Sequence, residues 1–270
     1  MGTSVYQAAA SDTDTGGHGV IRYYITSGNT GTVFSINSFT GNLYVASTLD
    51  YDTAPTSYTL EIEAEDMATS TGDTRTSTLT LAVTLTDTND QTPTFSQSSY
   101  TTTLDENVAA STSVMTVTAT DTDAGASGTI TFSVLSGTGS SLFTIDGTTG
   151  IITTTGTIDY ETLTTYDLIV KAADGGSPSL SSTCFVQISV NDLNDNTPIF
   201  PASSVTVSIT ESSSVGTAVT TAGATDADSI TGNNNVIVYS FSTASAKFTI
   251  NSATGAITTT DTIDRETAAR

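Results

Sequence analysis

Cysteine, histidine, tryptophan and basic residues are scarce: the 270 residues hold one Cys, one His, no Trp and six Lys plus Arg. The single Cys184 cannot form a disulfide within the chain, so stability must come from cores or from metal. It sits in Cys184-Phe185-Val186-Gln187-Ile188-Ser189-Val190, where alternation places it on one face with Val186, Ile188 and Val190. That context marks a buried, unreactive thiol. With His18 the only histidine, no Cys/His or Ser/His constellation is available, and the sequence reads as no enzyme. Six bases against 28 acids give a formal charge of -22, which disfavours nucleic acid and anionic membrane surfaces and favours cations as partners. No apolar run reaches 18 residues, and Met1-Gly2-Thr3-Ser4-Val5 does not open a signal peptide. Any export signal or membrane anchor is expected outside these residues. No Asn-x-Ser/Thr acceptor is present, so N-glycosylation is not expected.

What is present is a long internal repeat. Asp12, Asp121 and Asp226 each open an Asp-x-Asp, 109 and 105 residues apart. Phe34-Ser35-Ile36, Phe143-Thr144-Ile145 and Phe248-Thr249-Ile250 recur at the same offsets, as do Thr40-Gly41, Thr149-Gly150 and Thr254-Gly255. A period this long is a domain array, well beyond solenoid repeats. The spans are 1–90, lacking its first strand, a complete copy at 91–195, and 196–270, which stops early. The chain therefore reads as a piece of a longer protein.

The fold class is all-β. In the middle copy seven short runs alternate apolar and polar residues between Gly, Asp and Ser turns: 100–104, 113–120, 128–135, 143–145, 151–154, 166–174 and 182–191. Ile130, Phe132 and Val134, like Tyr166, Leu168, Val170 and Ala172, give each strand one buried face. Seven strands in about 100 residues suit an immunoglobulin-like two-sheet sandwich with Greek-key connections.

The acids recur with the repeat, which scattered surface charges would not do. Glu106 and Glu211 follow the first strand; Asp12/Asp14, Asp121/Asp123 and Asp226/Asp228 follow the second. Asp50/Asp52, Asp159/Glu161 and Asp264/Glu266 precede the sixth strand, and Asp66 and Asp174 end it. The connections read Asp87-Thr88-Asn89-Asp90-Gln91-Thr92-Pro93 and Asp192-Leu193-Asn194-Asp195-Asn196-Thr197-Pro198. Each offers carboxylates, amide oxygens and carbonyls, the hard ligands that Ca²⁺ takes six to eight at a time. Asp159 and Glu161 could be read as a catalytic pair, but they recur in every copy and lack the unlike environments acid–base work requires. Gly125-Ala126-Ser127-Gly128 is followed by no phosphate-binding helix, so a nucleotide role is not indicated.

These motifs together resemble the cadherin repeat family along essentially the whole chain. The linkers resemble the family's Asp-x-Asn-Asp-Asn-x-Pro, Asp159-Tyr160-Glu161 its Asp-x-Glu, Leu104-Asp105-Glu106-Asn107 its first-strand Glu, and Asp121-Thr122-Asp123 its Asp-x-Asp. The resemblance implies up to three Ca²⁺ at each junction. For the second junction it implies Glu106, Asp159, Glu161, Asp192, Asn194, Asp195, Asp226 and Asp228, with the carbonyls of Leu193, Asn196 and Asn234. For the first it implies Asp50, Asp52, Asp87, Asn89, Asp90, Asp121, Asp123 and Asp174, with the carbonyls of Thr88, Gln91 and Ser127. There Asp52 stands in place of the usual Glu, and the first-strand Glu is missing. Asp12, Asp14, Asp66 and the His18 carbonyl look like half of a preceding site.

The resemblance further implies an extracellular, cell-surface location, a full-length chain anchored in the membrane, and other cadherin-type ectodomains as partners in cis or trans. The alternative is a spacer in a secreted or microbial surface protein with no homophilic adhesion. Family adhesion by exchange of an N-terminal Trp finds no Trp here, so the partner is unread. Glu106 and Asp195 are expected to face the linker and not the core, each sandwich to fold without the ion, and the second junction to bind more tightly than the first.

Overall fold

The computed structural model describes residues 2–53, 55–67 and 74–268. Two compact units emerge from it: residues 1–96 with 119–131 and 172–182, and residues 97–118 with 132–171 and 183–270.

In the first unit, strands β1 (Ser4–Gln7), β2 (Ile21–Ser27), β3 (Phe34–Ile36), β4 (Asn42–Val45), β5 (Ser57–Asp66) and β6 (Thr76–Thr84) form two antiparallel three-stranded sheets, ordered β1-β4-β3 and β2-β5-β6. Strand β5 explains the pairing of the sheets: Tyr58, Leu60 and Ile62 are buried at alternate positions, whereas Glu61, Glu63 and Glu65 point the other way. Phe34 and Leu43 come in from the opposite sheet, and Phe34 meets Tyr58 edge-on with centroids 5.2 Å apart. A short β7 (Thr94–Phe95) follows the first linker.

Strands β8 (Ser99–Asp105), β9 (Ser113–Thr116), β10 (Ala119–Thr120), β11 (Thr131–Gly137), β12 (Phe143–Ile145), β13 (Ile151–Thr154), β14 (Thr165–Ala173) and β15 (Ser181–Asn191) make the middle copy. Their sheets are ordered β11-β14-β15-β8, β12-β13-β9 and, with the strand after the first linker, β10-β7. Strand β8 runs parallel to β15, Tyr100 opposite Val186 and Leu104 opposite Val190. Tyr166, Leu168, Val170 and Ala172 on β14 and Cys184, Val186, Ile188 and Val190 on β15 are all buried, as alternation predicts. Burial pushes the Cys184 thiol pKa up, consistent with an unreactive sulfur.

The run expected at 113–120 is broken in two. Tyr100 Oη donates to the Thr118 carbonyl and accepts from the Thr118 N–H, and Val117 N–H turns to Gly150, so the chain leaves one sheet at Val117 and joins another at Ala119. In the third copy, β16 (Ala218–Thr221), β17 (Phe248–Ile250) and β18 (Ala256–Thr259) form one sheet, ordered β16-β18-β17. The recurring Thr-Gly positions close the same turn in all three copies: Gly41, Gly150 and Gly255 have φ of 69°, 69° and 67°, a conformation glycine adopts without cost. Asn37, Asp146 and Asn251 cap these turns through two backbone N–H groups each.

Leu168 is fully buried at the centre of β14. Leu168→Ala is expected to cost about 2–5 kcal/mol in urea unfolding of this unit. The loss should be the same in calcium and in chelator, since the side chain touches the core only.

Candidate metal centres

Three segments meet at the first linker, all within the first unit. Asp50 Oδ1 accepts the Asp52 N–H at 2.9 Å and its Oδ2 accepts the Thr53 hydroxyl at 2.6 Å. The Thr53 hydroxyl above all, helped by the Asp52 N–H, holds the Asp50 carboxyl below its usual range. Asp123 N–H caps Asp121 Oδ1 at 3.0 Å, the turn that also joins Asp14 to Asp12 and Asp228 to Asp226. Gly128 packs so closely on the Asp123 carbonyl that a Cβ could not fit there, which keeps this loop closed.

The linker is tied down by backbone donors: Gln91 N–H to Asp123 Oδ2 at 3.2 Å and Ala124 N–H to Asp87 Oδ2 at 3.0 Å. Asn89 Nδ2 donates to the Pro178 carbonyl at 2.7 Å. Burial works against ionising Asp174, yet hydrogen bonds from Gly176, Leu180, Ser179 and Asn89 outweigh it and hold this carboxyl below its usual range. Asp52, Asp87 and Asp123 each place one carboxylate oxygen within 4.8 Å of the other two. Asp90, Thr88 and Gln91 are exposed and Ser127 is half-buried.

Five buried oxygens at this linker have no hydrogen-bond partner: Asp52 Oδ1, Asp87 Oδ1, Asn89 Oδ1, Asp121 Oδ2 and Asp123 Oδ1. Buried polar atoms are rarely left so, because each costs about 1–3 kcal/mol and more when charged. Among the described residues no lysine or arginine pairs with these carboxylates; the ion pair that does form, Lys247 with Asp261, involves neither linker. The donors are all hard oxygens, which fits Ca²⁺ and not a thiolate- or imidazole-seeking metal. Burial, then the charges of Asp87, Asp90 and Asp50, push the Asp52 pKa up. Asp123 is raised first by burial and then by Asp121, Asp52 and Asp87.

The second linker lies wholly in the second unit. Glu106, Glu161 and Asp192 form one carboxylate group within 4.8 Å, and Glu161, Asp195 and Asp228 form another, so Glu161 belongs to both. Burial, followed by Glu106, Asp195 and Asp159, raises the Glu161 pKa. Asp159 is held low, chiefly by the Thr162 hydroxyl at 2.9 Å. Leu193 and Asn194 are exposed, and Asn196, Asp226 and Asn234 half-buried.

Glu106 faces the linker as expected, but it also anchors it. Only 1% exposed, its carboxylate accepts the Tyr160 N–H at 2.8 Å and the Leu193 N–H at 2.7 Å, one from each flanking segment.

Two further carboxylate groups stand away from the linkers. Asp12, Asp14 and the buried Asp66 come together as the sequence implies, with His18 in the exposed turn after them. Glu211, Asp264 and Glu266 also come together, a set absent from the sequence-derived ligands. Their match to Glu106, Asp159 and Glu161 was the signal that would have found them. Asp50, Asp90, Asp121, Asp159, Asp174 and Asp226 lie outside the three-carboxylate groups.

Glu106→Ala strands two N–H groups and is expected to cost roughly 2–4 kcal/mol even in chelator. Asp195 is exposed at the linker surface and accepts the Asn107 and Asn196 amides, so Asp195→Ala should lower chelator stability by less than Glu106→Ala does. Thermal melts in EDTA check both. On pH, Asp52, Asp123 and Glu161 have folded pKa values raised above the ordinary 3.8 for Asp and 4.5 for Glu. Their contribution to metal-free stability is greatest below those ordinary values and is lost as pH rises through the raised ones. Because the same protons compete with a cation, the rise in melting temperature produced by calcium should shrink as pH falls through this window. Melts from about pH 7 to pH 4 with calcium and with EDTA measure it.

A family model for the cadherin domain matches residues 1–86, 100–191 and 205–270. The chain is 39% identical over 266 residues to mouse Protocadherin Fat 4 and 35% identical over 270 residues to mouse Cadherin-23. Each match takes in 98% of this chain but only 5% and 8% of those proteins, so the chain spans a small part of the relatives it matches. Among solved structures, mouse Cadherin-23 EC22-24 aligns with a TM-score of 0.89 at 28% identity, covering 98% of this chain and 83% of that one. The extracellular domain of Protocadherin GammaB4 aligns at 0.77 and 27%, covering 98% and 44%. The chain therefore belongs to the cadherin family, as non-enzymatic extracellular repeats of the kind that build adhesion-type proteins.

Proposed function

We propose that this segment binds Ca²⁺ at its two linkers, up to three ions at each, and that this binding stiffens an adhesive ectodomain. The observation that carries the reading is the set of five partnerless buried oxygens gathered at one linker without a basic residue among them. The repeats take the spans 1–90, 91–195 and 196–270. Asp52, Asp87, Asp121, Asp123 and the Asn89 side chain hold the first site, with Asp50, Asp90, Asp174 and the Thr88, Gln91 and Ser127 carbonyls completing it. At the second, Glu106, Asp159, Glu161, Asp192, Asn194, Asp195, Asp226 and Asp228 act with the carbonyls of Leu193, Asn196 and Asn234.

When bound, the ions supply positive charge that the chain itself lacks. Carboxylates about 4 Å apart repel by some 1–4 kcal/mol per pair at water-like to surface-like dielectric. Each site draws its oxygens from the segment before the linker, the linker and the segment after it. Sharing ligands across those segments removes the freedom of the linker between them. The first and middle copies keep buried cores of their own, so these two folds need no ion to form. Similarity to protocadherins and Cadherin-23 supports an adhesive setting over a plain spacer, with other cadherin-type ectodomains as partners in cis or trans.

Calorimetry should show binding at about 10⁻⁴ to 10⁻³ M, the range of extracellular modules, with the second linker tighter because Glu106 and Glu161 serve it and the shorter Asp52 serves the first. Small-angle scattering should show a narrower distance distribution in calcium than in EDTA. No heat at millimolar calcium, equal affinity at both linkers, or scattering indifferent to chelator would each contradict the reading.

A further inference from the structure

The two linkers are not equivalent, and the difference lies in side-chain amides. This inference rests on the calcium reading above. An ionised carboxylate only accepts hydrogen bonds, so an amide beside one must turn its NH₂ toward it. At the second linker three amides do so. Asn234 Nδ2 donates to Asp192 Oδ2 at 2.6 Å, and Asn196 Nδ2 donates to Asp195 Oδ1 and Asp228 Oδ1, both at 2.9 Å. Asn107 Nδ2 donates to Asp195 Oδ2.

Asn107 is held there by its backbone. Its φ of 59° lies in the left-handed region, which asparagine enters far more readily than most residues. Ser212, at the matching place in the third copy, has φ of 60°, so the backbone shape recurs while the amide does not. Glu106 next to it ties the same linker through the Leu193 N–H.

At the first linker the Asn89 amide serves Asp174 and Gln91 serves Asp90 and Asp52, but among the described residues no side-chain amide reaches Asp87 or Asp123. Ser127 stands where the second has Asn234. Gln91 matches Asn196, but its amide goes to Asp90 at 3.0 Å and to Asp52, leaving Asp123 to the backbone N–H. Among the described residues the partnerless buried oxygens are five at the first linker and Asp228 Oδ2 at the second, where Glu161, Asn194 and Asp195 are exposed; Asp87 Oδ1 is left over where its counterpart Asp192 has both oxygens bonded.

We propose that Asn107, Asn196 and Asn234 are positioning residues that hold the second linker's carboxylates together when calcium is scarce, so that the first linker is the more calcium-dependent joint. The amides act as internal, uncharged stand-ins for part of the cation. They reduce repulsion among Asp192, Asp195 and Asp228 and keep these oxygens near where a cation is coordinated. A preassembled site binds at lower entropic cost, which agrees with tighter binding at the second linker. The first linker, where Asp87 and Asp123 are met by backbone N–H groups but by no side-chain amide, changes most on loading.

Residue-resolved amide hydrogen exchange on the intact 270-residue chain, in EDTA and in millimolar CaCl₂, tests the proposal. The reporters are Asn196 and Ser229, whose N–H groups bind Asp228 and Asp192, against Gln91 and Ala124, whose N–H groups bind Asp123 and Asp87. In EDTA the Asn196 and Ser229 N–H groups should exchange at least about tenfold more slowly than those of Gln91 and Ala124, as expected for one or more extra bonds to charged groups. Asn107→Ala with Asn234→Ser should abolish most of that difference; Asn234→Ser alone, which installs the residue found at the first linker, should abolish part of it. Calcium should slow exchange more at the first linker than at the second. Equal exchange at the two linkers in EDTA, or unchanged exchange in both variants, overturns the proposal. If calcium slows exchange at neither linker, the calcium reading falls, while the comparison in EDTA still decides the role of the amides.

Discussion

Repulsion between like charges crowded at short linkers is the constraint on which the rest of this structure depends. Seven carboxylates are drawn toward each linker, and among the described residues no lysine or arginine answers them. Such groups cannot be gathered unless something favourable is returned at the same place. Part of that return is visible in the chain itself: backbone N–H groups on Asp50, Asp87, Glu106, Asp123, Asp174 and Asp192, hydroxyls on Asp50 and Asp159, and amides at the second linker. What these donors leave unmet is a set of buried oxygens with the hardness and density that Ca²⁺ takes as ligands.

The β-sandwich serves this end by where its strands stop. Core residues on β5, β14 and β15 fix the strands, and the acids stand just before or after them, in turns closed by their own carboxylates. Packing and metal chemistry thus use different residues. Glu106 is the exception, since it is buried and ties Tyr160 and Leu193 together. One side chain there joins a repeat to its linker.

Much of this was legible in the sequence, because alternation and recurrence are written in it. The buried faces of β14 and β15, the inert thiol of Cys184 and the strand runs at 143–145 and 151–154 follow from period-2 patterning alone. The break at Val117 was not, because it depends on the Tyr100 hydroxyl, which engages Thr118, eighteen residues away from it, and takes up the backbone's partners. The acids were located by their recurrence, and the cadherin resemblance sorted them into two sets. Burial of Glu106 escaped notice because a charged residue at a strand end reads as exposed. The amides of Asn196 and Asn234 are not legible for another reason: the resemblance implies their backbone carbonyls, and which carboxylate each side chain meets depends on the fold. Glu211, Asp264 and Glu266 are legible through their match to Glu106, Asp159 and Glu161.

The central claim is that the partnerless oxygens are cation ligands, and it is most directly tested by a crystal structure grown in millimolar calcium with anomalous data. The account predicts anomalous peaks at both linkers, with ions 2.3–2.6 Å from Asp52 Oδ1, Asp87 Oδ1, Asn89 Oδ1, Asp121 Oδ2, Asp123 Oδ1 and Asp228 Oδ2. Saturating calcium with no anomalous peak at either linker, and those six oxygens satisfied by water or by backbone N–H groups, would contradict it.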